Sequence, residues 1–259
     1  MRIITFLYQS IISIFCFCCF APFSPKLKSE KTFTKNSELY FPNSSFVNIK
    51  NKGGNFNTYS FNNNDFSFTI IDKIKDSPLE GVPNYIKERE ISTDYFAKLI
   101  NSKREEIQQL CNKYNVSYFD GVFYSDFIIS NEENETTFKE KQDKLTKIEE
   151  EIYLLEEKIK NSQKSVLVID NSNGIQFKFY IKNKEDIPYV FDLLTSLENL
   201  LKPYYPKVEN NHYFIYEKDL IIYENMNHNL YNDETKFPNN WKHSYEEIKE
   251  IVLEKYENI

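Results

Sequence analysis

Apolar positions fall along the chain into short runs of clear period separated by polar turns. Phe66-Ser67-Phe68-Thr69-Ile70-Ile71 places Phe66, Phe68 and Ile70 on one face, the alternation of a half-buried strand, and Asp76-Ser77-Pro78 follows as a turn. From Ser92, a candidate N-cap, Phe96, Leu99, Ile100, Ile107, Leu110 and Cys111 recur at helical spacing and predict one helix to about Tyr114. Val116 to Ile129 reads as one or two strands around Gly121. Phe138 to Asn161 has another rhythm: Leu145, Ile152 and Ile159 are seven apart, with Ile148 and Leu155 between them among Lys and Glu. That is the heptad of a short amphipathic helix, a length that packs more often on its own domain than in a coiled coil.

The second half repeats the theme. Ser165 to Asp170 and Ile175 to Lys182 flank Asn171-Ser172-Asn173-Gly174, and Asn-Gly between apolar runs is a strong hairpin signal, with Ile175, Phe177, Phe179 and Ile181 on one face. Ile187, Val190, Phe191, Leu194, Leu197 and Leu201 predict a helix over 184–201, in which Pro188 is tolerable only in the first turn. After Pro203 and Pro206, Tyr213 to Tyr223 reads as a strand pair or a bent strand, and Ser244 with Glu247 forms a capping box that starts a last helix to about Tyr256. The expected fold is therefore α+β: two similar strand-turn-helix-strand halves, an internal duplication, with the amphipathic helix at 136–162 inserted between them.

Ahead of residue 65 the chain has a different character. Ile3 to Phe23 carries no charge and follows Arg2, the layout of a signal peptide, here 1–25. The run approaches the ~20 residues that span a bilayer, so an uncleaved signal anchor is the competing assignment. Residues 26–64 hold six Lys, two acidic residues and nine Asn without helical or strand period, and read as a basic, disordered, transit-like segment. The whole-chain charge of −7 conceals a reversal, +4 over 26–64 against −12 over 65–259, which places the folded body at 65–259. A signal peptide followed by such a segment resembles the two-part leader of nuclear-encoded proteins that enter a complex plastid such as the apicoplast; an ordinary secreted protein with an Asn-rich linker is the alternative. With 29 Asn and 29 Lys against two Ala and three Arg, the composition looks like that of an AT-rich genome, which weakens any inference from Asn and Lys richness.

Groups that could carry chemistry are few. Cys16, Cys18 and Cys19 lie in the leader, leaving Cys111 alone on an apolar helix stripe with no His or acid beside it, so neither a disulfide framework nor a CxxC pair exists in the body. His212, His228 and His243 lack metal spacing, no Gly-x-Ser-x-Gly elbow accompanies them, and Gly53-Gly54, Gly81, Gly121 and Gly174 make no phosphate loop. Asp170-Asn171-Ser172-Asn173-Gly174 starts like a calcium loop, but Gly falls in the fifth place and Ile181 where the bidentate Glu belongs, so it reads as a turn. Glu149-Glu150-Glu151 and Glu156-Glu157 read as solvated helix charge. No catalytic, cofactor-binding or metal-binding residue is assigned, and the expectation is a protein that is not an enzyme. The acidic body disfavours nucleic acid and direct attraction to anionic lipid, leaving peripheral membrane association open. Trp241, Tyr204, Tyr205, Tyr213, Tyr216 and Tyr223 give the C-terminal half an aromatic surplus. These rings read either as core and tyrosine-edged surface or as an apolar groove for an extended polypeptide, with strand edges adding hydrogen bonds.

A twice-repeated pattern carries a family resemblance. Phe68-Thr69-Ile70-Ile71-Asp72 with Asp76-Ser77-Pro78-Leu79 leads to Ile91-Ser92-Thr93-Asp94-Tyr95-Phe96. Val166-Leu167-Val168-Ile169-Asp170 with Asn173-Gly174 leads to Phe179-Tyr180-Ile181-Lys182-Asn183-Lys184-Glu185-Asp186, and Lys207-Val208-Glu209 precedes a closing strand. Over about 66–225 this resembles the family of the twenty-two-kilodalton intermembrane-space component of the chloroplast inner-envelope translocon (Tic complex), in an apicoplast-type version. The chain departs from that pattern in a longer first turn-to-helix segment, in the extra heptad helix and in Pro188. The resemblance implies a soluble, chaperone-like component of protein import into a complex plastid, between whose membranes it holds unfolded preproteins without catalysis. Preproteins and translocon subunits are then its partners, and no individual client-binding residue carries over. The alternative expectation is a secreted or plastid-lumen module that engages a protein through its heptad helix.

Overall fold

The computed structural model describes residues 33–51, 56–75, 85–92, 94–122, 135–171, 174–207, 214–235 and 241–259. Within them the chain is α+β, with helices packed on two five-stranded sheets that share one apolar core. The first sheet pairs β1 (Ser45–Asn51), β2 (Phe56–Asn62), β3 (Ser67–Lys75) and β4 (Tyr85–Ile91) as an antiparallel meander. Tyr59 lies opposite Ile70, Phe61 opposite Phe68 and Ile70 opposite Ile91, all buried, so period-2 alternation sets the register. On the same face Asp72 pairs with Arg89, both fully buried, the guanidinium reaching the carboxylate at 2.6 and 3.0 Å.

The expected boundary near residue 65 and the expected disorder over 26–64 do not hold where the chain is described. Residues 45–51 and 56–62 are strands, and the segment ahead of them, with helix α1 (Ser37–Tyr40), closes over the core face. Phe33 is fully buried, its ring 3.7 Å from the Arg89 guanidinium and edge-on to Tyr59 and Phe61. Phe41 packs against Phe68 and Tyr95. Asn, Ser and Lys between the aromatic residues mask the period of these strands. The signal-peptide assignment at 1–25 and residues 26–32 lie outside the described residues.

The second sheet runs β10-β9-β7-β6-β5. In it β5 (Ser117–Asp120) is parallel to β6 (Val166–Asp170), β6 antiparallel to β7 (Gly174–Ile181), β7 parallel to β9 (Glu217–Glu224) and β9 antiparallel to β10 (His228–Thr235). The expected hairpin pairs Asp170 with Gln176; residues 172 and 173 lie outside the described set. Gly174 meets β9 so closely that a Cβ would fall 1.7 Å from the Glu217 carbonyl oxygen. The segment read as a strand pair or bent strand divides between the sheets instead. β8 (Phe214–Ile215) joins the first sheet beside β4, β9 joins the second, and the chain crosses at buried Tyr216. Strand β5, which follows the helices of the first half, also lies in the second sheet, so the halves interlock. β10, largely polar, has no apolar run to announce it and forms a sheet edge.

The single helix expected over 92–114 is two, α2 (Tyr95–Ser102) and α3 (Arg104–Lys113), broken at Lys103. Asn101 and Ser102 are weak helix formers, and the Ser102 hydroxyl donates to the Leu99 carbonyl at 2.8 Å. Ser92 does not cap; its Oγ accepts from the Thr69 N–H at 3.2 Å and ties the start of α2 to β3. α3 ends in a Schellman turn, with Asn115 at φ 58° and the Val116 N–H donating to the Cys111 carbonyl at 2.9 Å, and this delivers the chain into β5. α4 (Glu135–Asn161) covers the heptad segment, and of its seam only Ile159 is fully buried, against Val166 and Val168. α5 (Ile187–Leu201) buries its predicted stripe with Pro188 in the first turn, and the Ser244–Glu247 capping box opens α6 (Tyr245–Glu257). Among the described residues no helix is long and apolar enough to cross a membrane.

Candidate functional site

Among the described residues, Cys111, His228 and His243 are not brought together. Cys111 is buried, and burial pushes its thiol up to about 12, so it stays protonated and inert. His228 lies exposed on β10, His243 stands 4.0 Å from the capping Glu247, and His212 is outside the described residues. Among the described residues no group of three or more His, Cys, Asp or Glu could hold a metal ion. Glu149, Glu150, Glu151 and Glu156 are exposed on α4, as helix charge should be.

The C-terminal aromatic surplus builds core. Lys218, 1% exposed, places its ammonium 2.8 Å from the Glu198 carboxylate, and the same carboxylate accepts from the Tyr205 hydroxyl at 3.1 Å. The Trp241 ring lies 4.1 Å from that ammonium, a cation–π contact away from water. Burial pulls the Lys218 pKa down, and the Glu198 charge pulls it partly back. Tyr216 packs 4.7 Å from Phe96 and joins α2 to the sheet crossover. Tyr223 stacks on Tyr180, Tyr204 accepts the Tyr95 hydroxyl at its carbonyl, and Tyr213 is outside the described residues. Among the described residues these rings pack as the first of the two sequence readings has it, as core and its edge.

An open groove lies at the edge of the second sheet. β5 is its last strand, and no described residue pairs with its outer side. The Ser117 N–H donates to the Ser165 carbonyl and the Gly121 N–H to the Ile169 carbonyl, so odd-numbered residues face β6. By the parity of a parallel ladder, the N–H and C=O groups of Tyr118 and Asp120 point outward. Above and below this edge stand two helices. α3 lies on the core side with Ile107 and Cys111 buried beneath it, and the end of α4 lies on the opposite side, where Leu155 and Ile159 pack with Phe119. Between them is a groove of about 710 Å³, within the range of ligand sites.

The two walls differ. α3 contributes Arg104, Glu105, Gln108 and Gln109, all exposed. Arg104 makes an ion pair with Asp120, whose carboxylate also accepts from the Tyr118 hydroxyl at 2.7 Å, and the Asp120 contact holds the guanidinium pKa up. α4 contributes Leu155 and Leu154, the latter 56% exposed, with the exposed charges of Glu151 and Lys158 one turn to either side. Sequence reasoning passed over Leu154, although Tyr153-Leu154 are apolar residues off the heptad stripe and thus a legible sign of a second apolar face. The edge itself was not legible, because the order of strands in a sheet is not written in any one segment. No family model, curated protein or solved structure matches the chain.

Proposed function

We infer that this protein holds extended polypeptide segments without catalysis, as a chaperone-like component of protein import into a complex plastid. The observation that carries the holding role is the edge of β5 between α3 and α4, with which no described residue pairs. An extended chain gains main-chain hydrogen bonds at such an edge and side-chain contacts from the helices beside it. The plastid assignment draws its support from the two-part leader and from the resemblance over 66–225 to the intermembrane-space translocon component. Unfolded preproteins and translocon subunits are the partners, and action between the plastid membranes follows. Because Phe33 and Phe41 are core, a removable presequence ends before residue 33 and is shorter than 26–64. The halves are read as copies of one unit, since β3-β4-α2 and β6-β7-α5 both run antiparallel hairpin then helix, with α4 as the insertion between them. The full-length chain, at severalfold excess and without ATP, should suppress aggregation of an unfolded preprotein; no suppression overturns the holding role. Protease protection of a C-terminally tagged chain tests the location, and a signal outside the plastid removes the translocon assignment.

A second reading has one observation in its favour. Leu145, Ile148 and Ile152 on α4 remain half-exposed ahead of buried Ile159, which suits a secreted or plastid-lumen module that binds a partner helix through this seam. Ile148→Lys should then abolish partner capture, whereas polypeptide holding at β5 should survive it.

A further inference from the structure

We propose that the β5 groove selects extended segments in which apolar and polar side chains alternate, the apolar ones turned toward α4 and the polar ones toward α3. This rests on the holding role inferred above and specifies what is held. A strand added to β5 lies in the plane of the second sheet, and its successive side chains project to opposite faces. Those faces are already assigned by β5 itself. Tyr118 and Asp120 face α3, where Tyr118 enters the main core and Asp120 pairs with Arg104, whereas Phe119 faces α4 and packs with Ile159.

A side chain turned toward α3 meets the exposed groups of Glu105, Gln108 and Gln109, which donate to or accept from polar atoms and would be desolvated without return by an apolar one. A side chain turned toward α4 meets Leu154 and Leu155 over Phe119, between the charged ends of Glu151 and Lys158, and an apolar residue seated there covers the exposed Leu154. A uniformly apolar strand fits one wall, a uniformly polar strand the other, and an alternating strand fits both. At about 3.3 Å per residue, the four-residue span of β5 takes a ligand core of about five residues. The occupant is thus an unfolded stretch that alternates as the strand of a half-buried sheet does.

The test uses the full-length chain and fluorescently labelled peptides of one composition, arranged as alternating Val and Thr/Ser or as a Val block followed by a Thr/Ser block. The alternating peptide should bind about tenfold more tightly in anisotropy titrations, because the block turns Val onto the polar groups of α3 and the alternating peptide does not. N-methylation of every second amide should weaken it about tenfold in one frame, where the amides face β5, and leave the other frame unchanged. Leu154→Glu, a change at an exposed position that leaves the core intact, should weaken both arrangements, since each turns Val toward α4. Equal binding of the two arrangements, both weakened by Leu154→Glu, overturns the alternation rule and leaves the holding role standing. Binding insensitive to Leu154→Glu and to methylation in either frame removes the site. A photo-cross-link from position 154 to residues 123–129 of the same chain, undisplaced by peptide, gives the groove to an internal segment and overturns the inference.

Discussion

Phe33→Ala tests whether the segment ahead of residue 65 belongs to the fold. The Phe33 ring is fully buried, lies 3.7 Å from the Arg89 guanidinium and stands edge-on to Tyr59 at 5.1 Å and Phe61 at 5.7 Å. Burial of a Phe side chain is worth about 1.5–3 kcal/mol, and the cavity left behind raises the cost of truncation to about 3–5 kcal/mol. Loss of a desolvated cation–π contact adds up to about 2 kcal/mol, with Arg89 and Asp72 left beside a void. Against a total stability of about 5–15 kcal/mol this is a large fraction. Urea unfolding followed by far-ultraviolet circular dichroism should show a midpoint lower by about 1 M or more with little change in slope. Leu39→Ala in the same segment, where the side chain is 64% exposed, should shift stability by no more than about 0.5 kcal/mol. A chain beginning at residue 65 lacks β1, β2, Phe33 and Phe41 and should not unfold cooperatively. Equal midpoints for Phe33→Ala and Leu39→Ala, or a cooperative fragment of undiminished stability, would refute the reasoning.

Three further outcomes follow from named contacts. Gly174→Ala forces a methyl into the Glu217 backbone and should cost about 3 kcal/mol or more by thermal melt, since neither strand can withdraw without loss of the β7–β9 ladder. Lys218→Met leaves the Glu198 charge buried without its cation and should cost about 3–5 kcal/mol, much of which the double change with Glu198→Leu should restore in the same melts. The Ser244 N–H holds the Glu247 carboxyl below its ordinary value of 4.5. Its support of the first turn of α6 is therefore present above that value and lost as pH falls through the depressed one. The protection of the Glu247 amide, taken relative to its intrinsic exchange rate at each pH, should fall in acid, and Glu247→Gln should flatten the dependence.

Where one segment carries both its period and its punctuation, the fold is legible in the sequence. The antiparallel pairing of the two strands that flank Asn173-Gly174, the α5 stripe with Pro188 in its first turn and the Ser244–Glu247 box all appear at their expected places. Elsewhere tertiary contacts decide. β1 and β2 earn their place through the facing rings of Phe33, Phe41 and Phe68, and no local apolar period announces them. The break at Lys103 depends on a side chain returning to its own backbone, and the passage from β8 to β9 at Tyr216 depends on which sheet has a free edge. The candidate site shares that dependence. Leu154 is visible as an apolar residue off the heptad, but it becomes a wall only because β5, from the first half of the chain, is the last strand of the second sheet.

The most direct test of polypeptide holding at β5 places a photoreactive phenylalanine analogue in the full-length chain, at position 154 in one preparation and at position 39, equally open to solvent, in another. Irradiation with a radiolabelled unfolded preprotein should give cross-links from position 154 that the alternating peptide competes away, and few from position 39. Cross-links from both positions alike, or from position 39 alone, would contradict the account.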